Sequence, residues 1–102
     1  EEPSGEPVPS EPFVISVYGP DRNDIVATFS HIFGAQQINI SSMRAFPIGE
    51  GSSMQVFEVS IPTDLDTRSL HRVLLERAKS LGLSLTMQHR DIFEAVHRVT
   101  VI

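Results

Sequence analysis

The residues best suited to chemistry stand together just after a short apolar run. Asp21, Arg22, Asn23 and Asp24 follow a Gly-Pro pair and precede a segment with helical periodicity. They place two carboxylates, a guanidinium and an amide within four positions. Such groups either bind a small charged ligand at a helix N-terminus or cap that helix. The residues alone leave both interpretations open.

The other side chains with catalytic or ligating potential are scattered. Serine pairs at 41–42 and 52–53 have no neighbouring base that would make either a nucleophile. The chain contains no cysteine, so thiol nucleophiles, disulfides and thiolate metal sites are excluded. We therefore expect no catalytic residue, no metal and no cofactor. The histidines fall on separate predicted elements without ligand spacing: His31, His71, His89 and His97.

The distribution of charge argues against a nucleic-acid partner. The formal net charge is -5, and residues 1–12 hold four glutamates with no lysine or arginine. From Phe13 onward, nine acidic residues face eight basic ones, so a basic surface for direct DNA or RNA binding is absent. No apolar run approaches the roughly 18 residues that cross a bilayer. We expect a cytoplasmic protein that does not bind membranes.

The length of 102 residues fits one small domain. Residues 1–12 are acidic and contain four prolines, a composition typical of a flexible linker. Residues 13–102 form the predicted domain, which includes an apolar C-terminal tail. The chain starts with Glu rather than Met, which favours an excised piece whose linker once joined an upstream domain.

Apolar periodicity predicts four strands and two helices. The first helix has Ile25, Phe29 and Phe33 on one face. The order β-α-β-β-α-β indicates an α+β, ferredoxin-like sandwich in which both helices cover one face of a four-stranded antiparallel sheet. The predicted strands are residues 13–18, 38–46, 54–62 and 83–88, and the predicted helices lie within residues 21–37 and 63–82.

Several functions of this fold lack the residues they need. A soft-metal chaperone requires paired thiolates. An RNA-binding module requires exposed aromatic residues in a basic field, and the two candidates, Tyr18 and Phe57, lie in a neutral one. An acyl phosphatase requires a phosphate cradle, and no Gly-rich loop accompanies Arg22 and Asn23.

The segment VYGPDRNDIVATFSHIF, followed by INISSM, resembles the ACT domain family. That family's signature is a strand, then D-R-x-G-[IL]-[VL] at the first helix, then [VI]-N-[IV] on the second strand. The resemblance implies an amino-acid-binding regulatory module that pairs with copies of itself. The matching positions are Asp21-Arg22, Ile25-Val26 and Ile38-Asn39-Ile40. The candidate ligand-binding residues are Gly19, Asp21, Arg22, Asn23, Asp24, Ile25 and Asn39.

The chain departs from the signature at Asp24, which stands where the family has glycine. An Asp there repels an incoming carboxylate and can itself satisfy the helix amides. The site is therefore either vestigial or binds its ligand through a cation such as an α-amino group. Two of the candidate ligand residues have a simpler alternative role. Arg22 would be a solvated surface charge, and Asn39 would use its side chain to bond to the backbone.

The tail HRDIFEAVHRV resembles the end of the second ACT domain in glycine cleavage system transcriptional repressor proteins. That resemblance implies either a homodimer or intramolecular pairing with an upstream ACT domain. We expect the tail to form the interface through Ile92, Phe93, Val96 and Val99. The alternatives are a purely structural interaction module without a ligand and a regulatory appendage of a metabolic enzyme.

Overall fold

The computed structural model describes residues 9–98. The strands are β1 (Ser10–Pro20), β2 (Asn39–Gly49), β3 (Ser52–Pro62) and β4 (Ser84–His89). The helices are α1 (Ile25–Ala35), α2 (Thr67–Ser80) and α3 (Arg90–Arg98). The strands form one antiparallel sheet in the order β2-β3-β1-β4. The predicted ferredoxin-like order is confirmed, and α3 is an addition to it.

The hydrophobic core lies between α1, α2 and one face of the sheet. Ile15 of β1 stands between Phe57 of β3 and Met87 of β4, and residues paired in this way share a face. Phe29 and Phe33 of α1 place their rings 6.4 and 5.4 Å from the ring of Phe57. The alternation of the third strand puts four residues on one face, and the structure buries them all: Gln55, Phe57, Val59 and Ile61.

Strand β1 begins at Ser10, earlier than the sequence predicted, so residues 10–12 of the expected linker belong to the sheet. Ser10 pairs with Pro62. Pairing between β1 and β4 starts only at Phe13. Pro12 therefore has a strand neighbour on one side alone, and its missing N–H is tolerated there. Residues 1–8 of the expected linker lie outside the described residues.

Helix α2 begins at a side-chain cap, for which the sequence offers Thr63, Asp64 and Asp66 as candidates. Asp66 occupies the N-cap, and its Oδ1 accepts hydrogen bonds from the backbone N–H groups of Arg68 and Ser69, at 3.0 and 3.3 Å. The Ser69 hydroxyl donates to the other carboxylate oxygen at 2.9 Å. The helix ends where Gly82 takes a φ of 75°, the left-handed conformation that glycine adopts without a steric cost.

Replacing Asp66 with alanine lowers the thermal unfolding midpoint, because two first-turn amides lose their acceptor. Hydrogen bonds from Ser69 hold the pKa of Asp66 below its ordinary value. Because the folded-state pKa is the lower one, the stabilisation is present above the unfolded value of about 3.9 and is lost as pH falls through the folded value. Thermal melts followed by circular dichroism, from about pH 7 to about pH 2, measure this stabilisation as the difference in unfolding midpoint between Asp66→Ala and the control Asp64→Ala. If the difference in unfolding midpoint between the two variants did not shrink as the pH fell, the assignment of Asp66 as the N-cap of α2 would be contradicted.

Helix α3 starts directly after β4 and contacts β1 and β4. The backbone N–H of Asp91 donates to Nδ1 of His89 at 3.1 Å, and Nε2 of His89 lies 2.7 Å from Oε1 of Glu11. Both contacts fit the neutral imidazole with its proton on Nε2. Phe93 of α3 lies near Ser16, which alternates with the core residues of β1. Helix α3 therefore covers part of the sheet face opposite α1 and α2.

Candidate functional site

The turn between β1 and α1 forms an open hollow of about 440 Å³. The backbone N–H of Asp21 donates to the carbonyl of Gly51 at 2.8 Å, which ties this turn to the β2–β3 hairpin. Four of the predicted ligand residues come together in the hollow because they are consecutive in the chain. Its lining residues are Asp21, Arg22, Asn23 and Asp24.

A line of polar side chains leads from this hollow into the protein. The hydroxyl of Ser53 donates to Oδ1 of Asp21 at 3.1 Å, and Nε2 of Gln55 donates to the Ser53 hydroxyl at 3.4 Å. Gln55 is buried, and its Oε1 has no hydrogen-bond partner within residues 9–98. The sequence interpretation missed both β3 residues as part of the site. The available signal was a glutamine at an inward position of an apolar strand.

Arg22 and Asp24 form a two-pronged ion pair at the mouth of the hollow. Nε and Nη2 of Arg22 donate to the two oxygens of Asp24 at 2.8 and 3.0 Å. These hydrogen bonds lower the pKa of Asp24 and raise that of Arg22. The Asp24 carboxylate is therefore ionised and its charge is offset by the guanidinium.

Of the two interpretations that the sequence left open for residues 21–24, side-chain capping of α1 is not what the structure has. Asp24 occupies the N-cap position, yet its carboxylate is engaged by Arg22 and makes no cap hydrogen bond. The Asp21 carboxylate instead accepts the hydrogen bond from Ser53. The first helical bond runs from Thr28 N–H to the Asp24 carbonyl. The backbone N–H groups of residues 25–27 consequently have no side-chain acceptor among the described residues.

Three predicted ligand residues have other placements. The side chain of Ile25 is 1% exposed and belongs to the core, so only its backbone N–H reaches the turn. A Cβ at Gly19 would lie 2.9 Å from Cδ2 of Leu83, which makes Gly19 a packing residue. Asn39 pairs with Ser60, seven residues along β3 from Ser53. At about 3.3 Å per residue, Asn39 is roughly 23 Å from the turn, and the structure does not bring it to the hollow.

A sequence profile described as ACT domain matches residues 11–88. The chain belongs to the ACT domain family. A UPF0237 protein of Pyrobaculum aerophilum is 31% identical over 86 residues, which is 84% of this chain and 96% of that protein. The match therefore extends over nearly the whole length of that relative. ACT domains are regulatory modules, and this chain is one of them.

Solved structures share the fold of this ACT domain. An ACT domain protein from Streptococcus pneumoniae superimposes with a TM-score of 0.72 at 22% identity, over 84% of this chain and 97% of that one. A protein assigned as a glycine cleavage system transcriptional repressor gives a TM-score of 0.75 at 14% identity. That alignment covers 86% of this chain and 51% of the repressor. At these identities the likeness concerns the fold.

The four residues predicted to form the interface in the apolar tail do not share one environment in the structure. Ile92 is exposed on α3, at 56% of its maximum, while Phe93 is half-buried against the sheet. Val96 belongs to α3, but its side chain lies outside the described part of the chain, as does the whole of Val99.

The described residues contain no helix that is long and apolar enough to span a membrane. Among the described side chains, which end at residue 95, no three histidine, aspartate or glutamate residues come together in an arrangement that could hold a metal ion.

Proposed function

We propose that this ACT domain is a non-catalytic regulatory module that binds a small amino acid at the β1–α1 turn and acts by self-association. We place it within a protein like the glycine cleavage repressors. The observation that carries the proposal is the N-terminus of α1, where no described side chain accepts from the amides of residues 25–27 while the neighbouring Asp24 charge is offset by Arg22. A helix N-terminus in that state attracts a carboxylate.

The two charges of an amino acid match the two sides of the hollow. Its carboxylate would accept hydrogen bonds from the amides at the start of α1. Its ammonium group would face Asp21, the lining carboxylate that no guanidinium of the described residues engages. Asp24 takes the place of the family's glycine without presenting a free negative charge, since both of its oxygens accept from Arg22.

Glycine or L-serine is expected to raise the thermal unfolding midpoint of the protein. Ligand at 100 times its dissociation constant stabilises the folded state by about 2.7 kcal/mol. Asp21→Asn should abolish the shift because the ammonium loses its partner, whereas Asp64→Asn, remote from the turn, should retain it. A screen of all common amino acids that gave no shift at millimolar concentration would overturn the ligand site.

The edge of the sheet supports self-association. Strand β2 pairs only with β3 in the described sheet, so one side of an 11-residue strand is left without a neighbour. Met43, Phe46 and Ile48 of this strand are 41, 42 and 46% exposed. A long edge strand with exposed apolar side chains is a template for pairing with another chain. We infer that a second ACT domain, in a homodimer or upstream in the same protein, pairs along β2.

Light scattering on the thermal-shift samples measures this assembly. A dimer mass together with an amino-acid response supports a sensor. A dimer mass without any response would favour the second candidate, a ligand-free interaction module, for which β2 alone is the supporting observation. A monomer at every concentration would contradict the self-association.

A further inference from the structure

The sheet face opposite α1 and α2 contains a groove to which the proposed function assigns no ligand, and which shares Phe46 with the exposed apolar residues of β2. It has a volume of about 600 Å³ and shares no lining residue with the β1–α1 turn. We call it the sheet groove. Its lining residues are Ser16, Tyr18, Arg44, Phe46, Met54, Val56, Thr86, Gln88 and Phe93.

Two rows of paired residues form the floor of the sheet groove. One row crosses all four strands, and at about 4.8 Å between strands it is roughly 14 Å wide. The second row is apolar and aromatic. The first row is Arg44, Val56, Ser16 and Thr86, and the second is Phe46, Met54 and Tyr18.

Helix α3 supplies a wall above this floor. Phe93 lines the groove together with Thr86 and Gln88 of the edge strand β4. The wall makes the site concave where an open sheet face would be flat. Small-molecule sites are concave, largely apolar and about 300–1,000 Å³ in volume, with a few convergent polar groups.

The polar groups of the floor have unused hydrogen-bonding capacity. Ser16 is only 8% exposed, and its hydroxyl bonds to no described residue. The side chains of Tyr18, Thr86 and Gln88 are more exposed, and they too make no hydrogen bond to a described residue. A polar side chain that is nine-tenths buried usually has a partner. The Ser16 hydroxyl opens onto the groove, where a bound molecule can provide one in place of water.

The charge of the groove selects the kind of molecule. Among the lining residues that the structure describes, only Arg44 carries an ionised side chain. A single Nη2 contact to Glu58, at the long distance of 3.5 Å, engages the guanidinium. The other guanidinium N–H groups are available for an anion.

We propose that the sheet groove binds a small monocarboxylic acid with an aromatic or branched apolar body. The carboxylate lies against Arg44 and accepts from a floor hydroxyl. The body packs on Met54, Val56 and Phe93. The carboxylate of such a ligand complements the guanidinium and the neutral donors, and its body complements the apolar wall. An uncharged hydrocarbon would leave the guanidinium and the donors unpaired, and a cation would be repelled by Arg44.

A titration of the ¹⁵N-labelled protein with 3-phenylpropionate tests the proposal by NMR. Saturable shift changes are expected at the groove positions of β1 and β4 and at α3. The neutral analogue 3-phenylpropionamide should bind about tenfold more weakly or worse, because it forfeits a charge-assisted hydrogen bond. Arg44→Gln should weaken the acid by a similar factor, while Arg68→Gln, on α2, should leave its affinity unchanged.

Four outcomes would overturn the proposal. The acid and the amide could bind equally, or Arg44→Gln could bind like the wild type. The shift changes could fall outside the groove. The groove signals of β1, β4 and α3, away from the edge strand β2, could depend on protein concentration without ligand, which would assign the groove to a second copy of the chain. None of these depends on the amino-acid response, which Arg44→Gln should retain, so failure here is separable from failure at the β1–α1 turn.

Discussion

Leu74→Ala is expected to lower the free energy of unfolding by about 2–5 kcal/mol. Leu74 is completely buried in the core that α2 builds with the sheet. Its truncation removes apolar burial and leaves a cavity that the surrounding side chains fill only in part. Stabilities of small domains are about 5–15 kcal/mol, so this loss is a large fraction of the total. Urea unfolding measures it.

The neighbouring residue provides a matched control. Leu75 is on the same helix and is 41% exposed. Leu75→Ala makes the same chemical change with the same small effect on helix propensity, and should cost less than about 1 kcal/mol. Equal losses for the two variants would contradict the orientation of α2 on the sheet.

Two glycine-to-alanine substitutions are expected to have opposite signs. Gly19→Ala should destabilise the protein by about 1–3 kcal/mol, because the new Cβ would meet Leu83 at 2.9 Å and the φ of 149° is unfavourable for an L side chain. Gly34 lies within α1, and a Cβ there meets nothing within 4 Å. Gly34→Ala should stabilise by about 0.5–1 kcal/mol through helix propensity.

Thermal melts of Gly19→Ala and Gly34→Ala in the same buffer test whether the two substitutions have opposite effects on stability. The close approach of β1 to the α2–β4 turn at Leu83 predicts a lower midpoint for Gly19→Ala and a higher one for Gly34→Ala. A Gly19→Ala protein as stable as the wild type would show that this approach is looser than the structure has it.

Elements with regular apolar periodicity were predictable from the sequence. The alternation in β3 puts Phe57 and its buried neighbours on one face, and the helical spacing in α2 does the same for Leu74. The cap was predictable only as one of Thr63, Asp64 and Asp66, and the structure selects Asp66. Helix α3 was not predicted. It is short, and the side chain at its start is His89, which is not among the usual N-cap residues.

The candidate site was predictable only as far as it is local in sequence. Residues 21–24 come together because they are consecutive. Ser53 joins Asp21 from 32 residues away, which requires the register between β1 and β3. The pairing of Arg22 with Asp24 depends on side-chain conformations that a motif does not contain. Asn39 matched the family signature, yet the direction of β2 places it at the far end of the sheet.

The central claim is that the start of α1 binds an amino-acid carboxylate. A titration of the ¹⁵N-labelled protein with glycine and L-serine, followed by NMR, tests it most directly. We predict saturable shift changes for the amides of residues 25–27, which have no side-chain acceptor among the described residues, and their loss in Asp21→Asn. Amide signals at residues 25–27 that stayed unchanged at millimolar amino acid would contradict the claim.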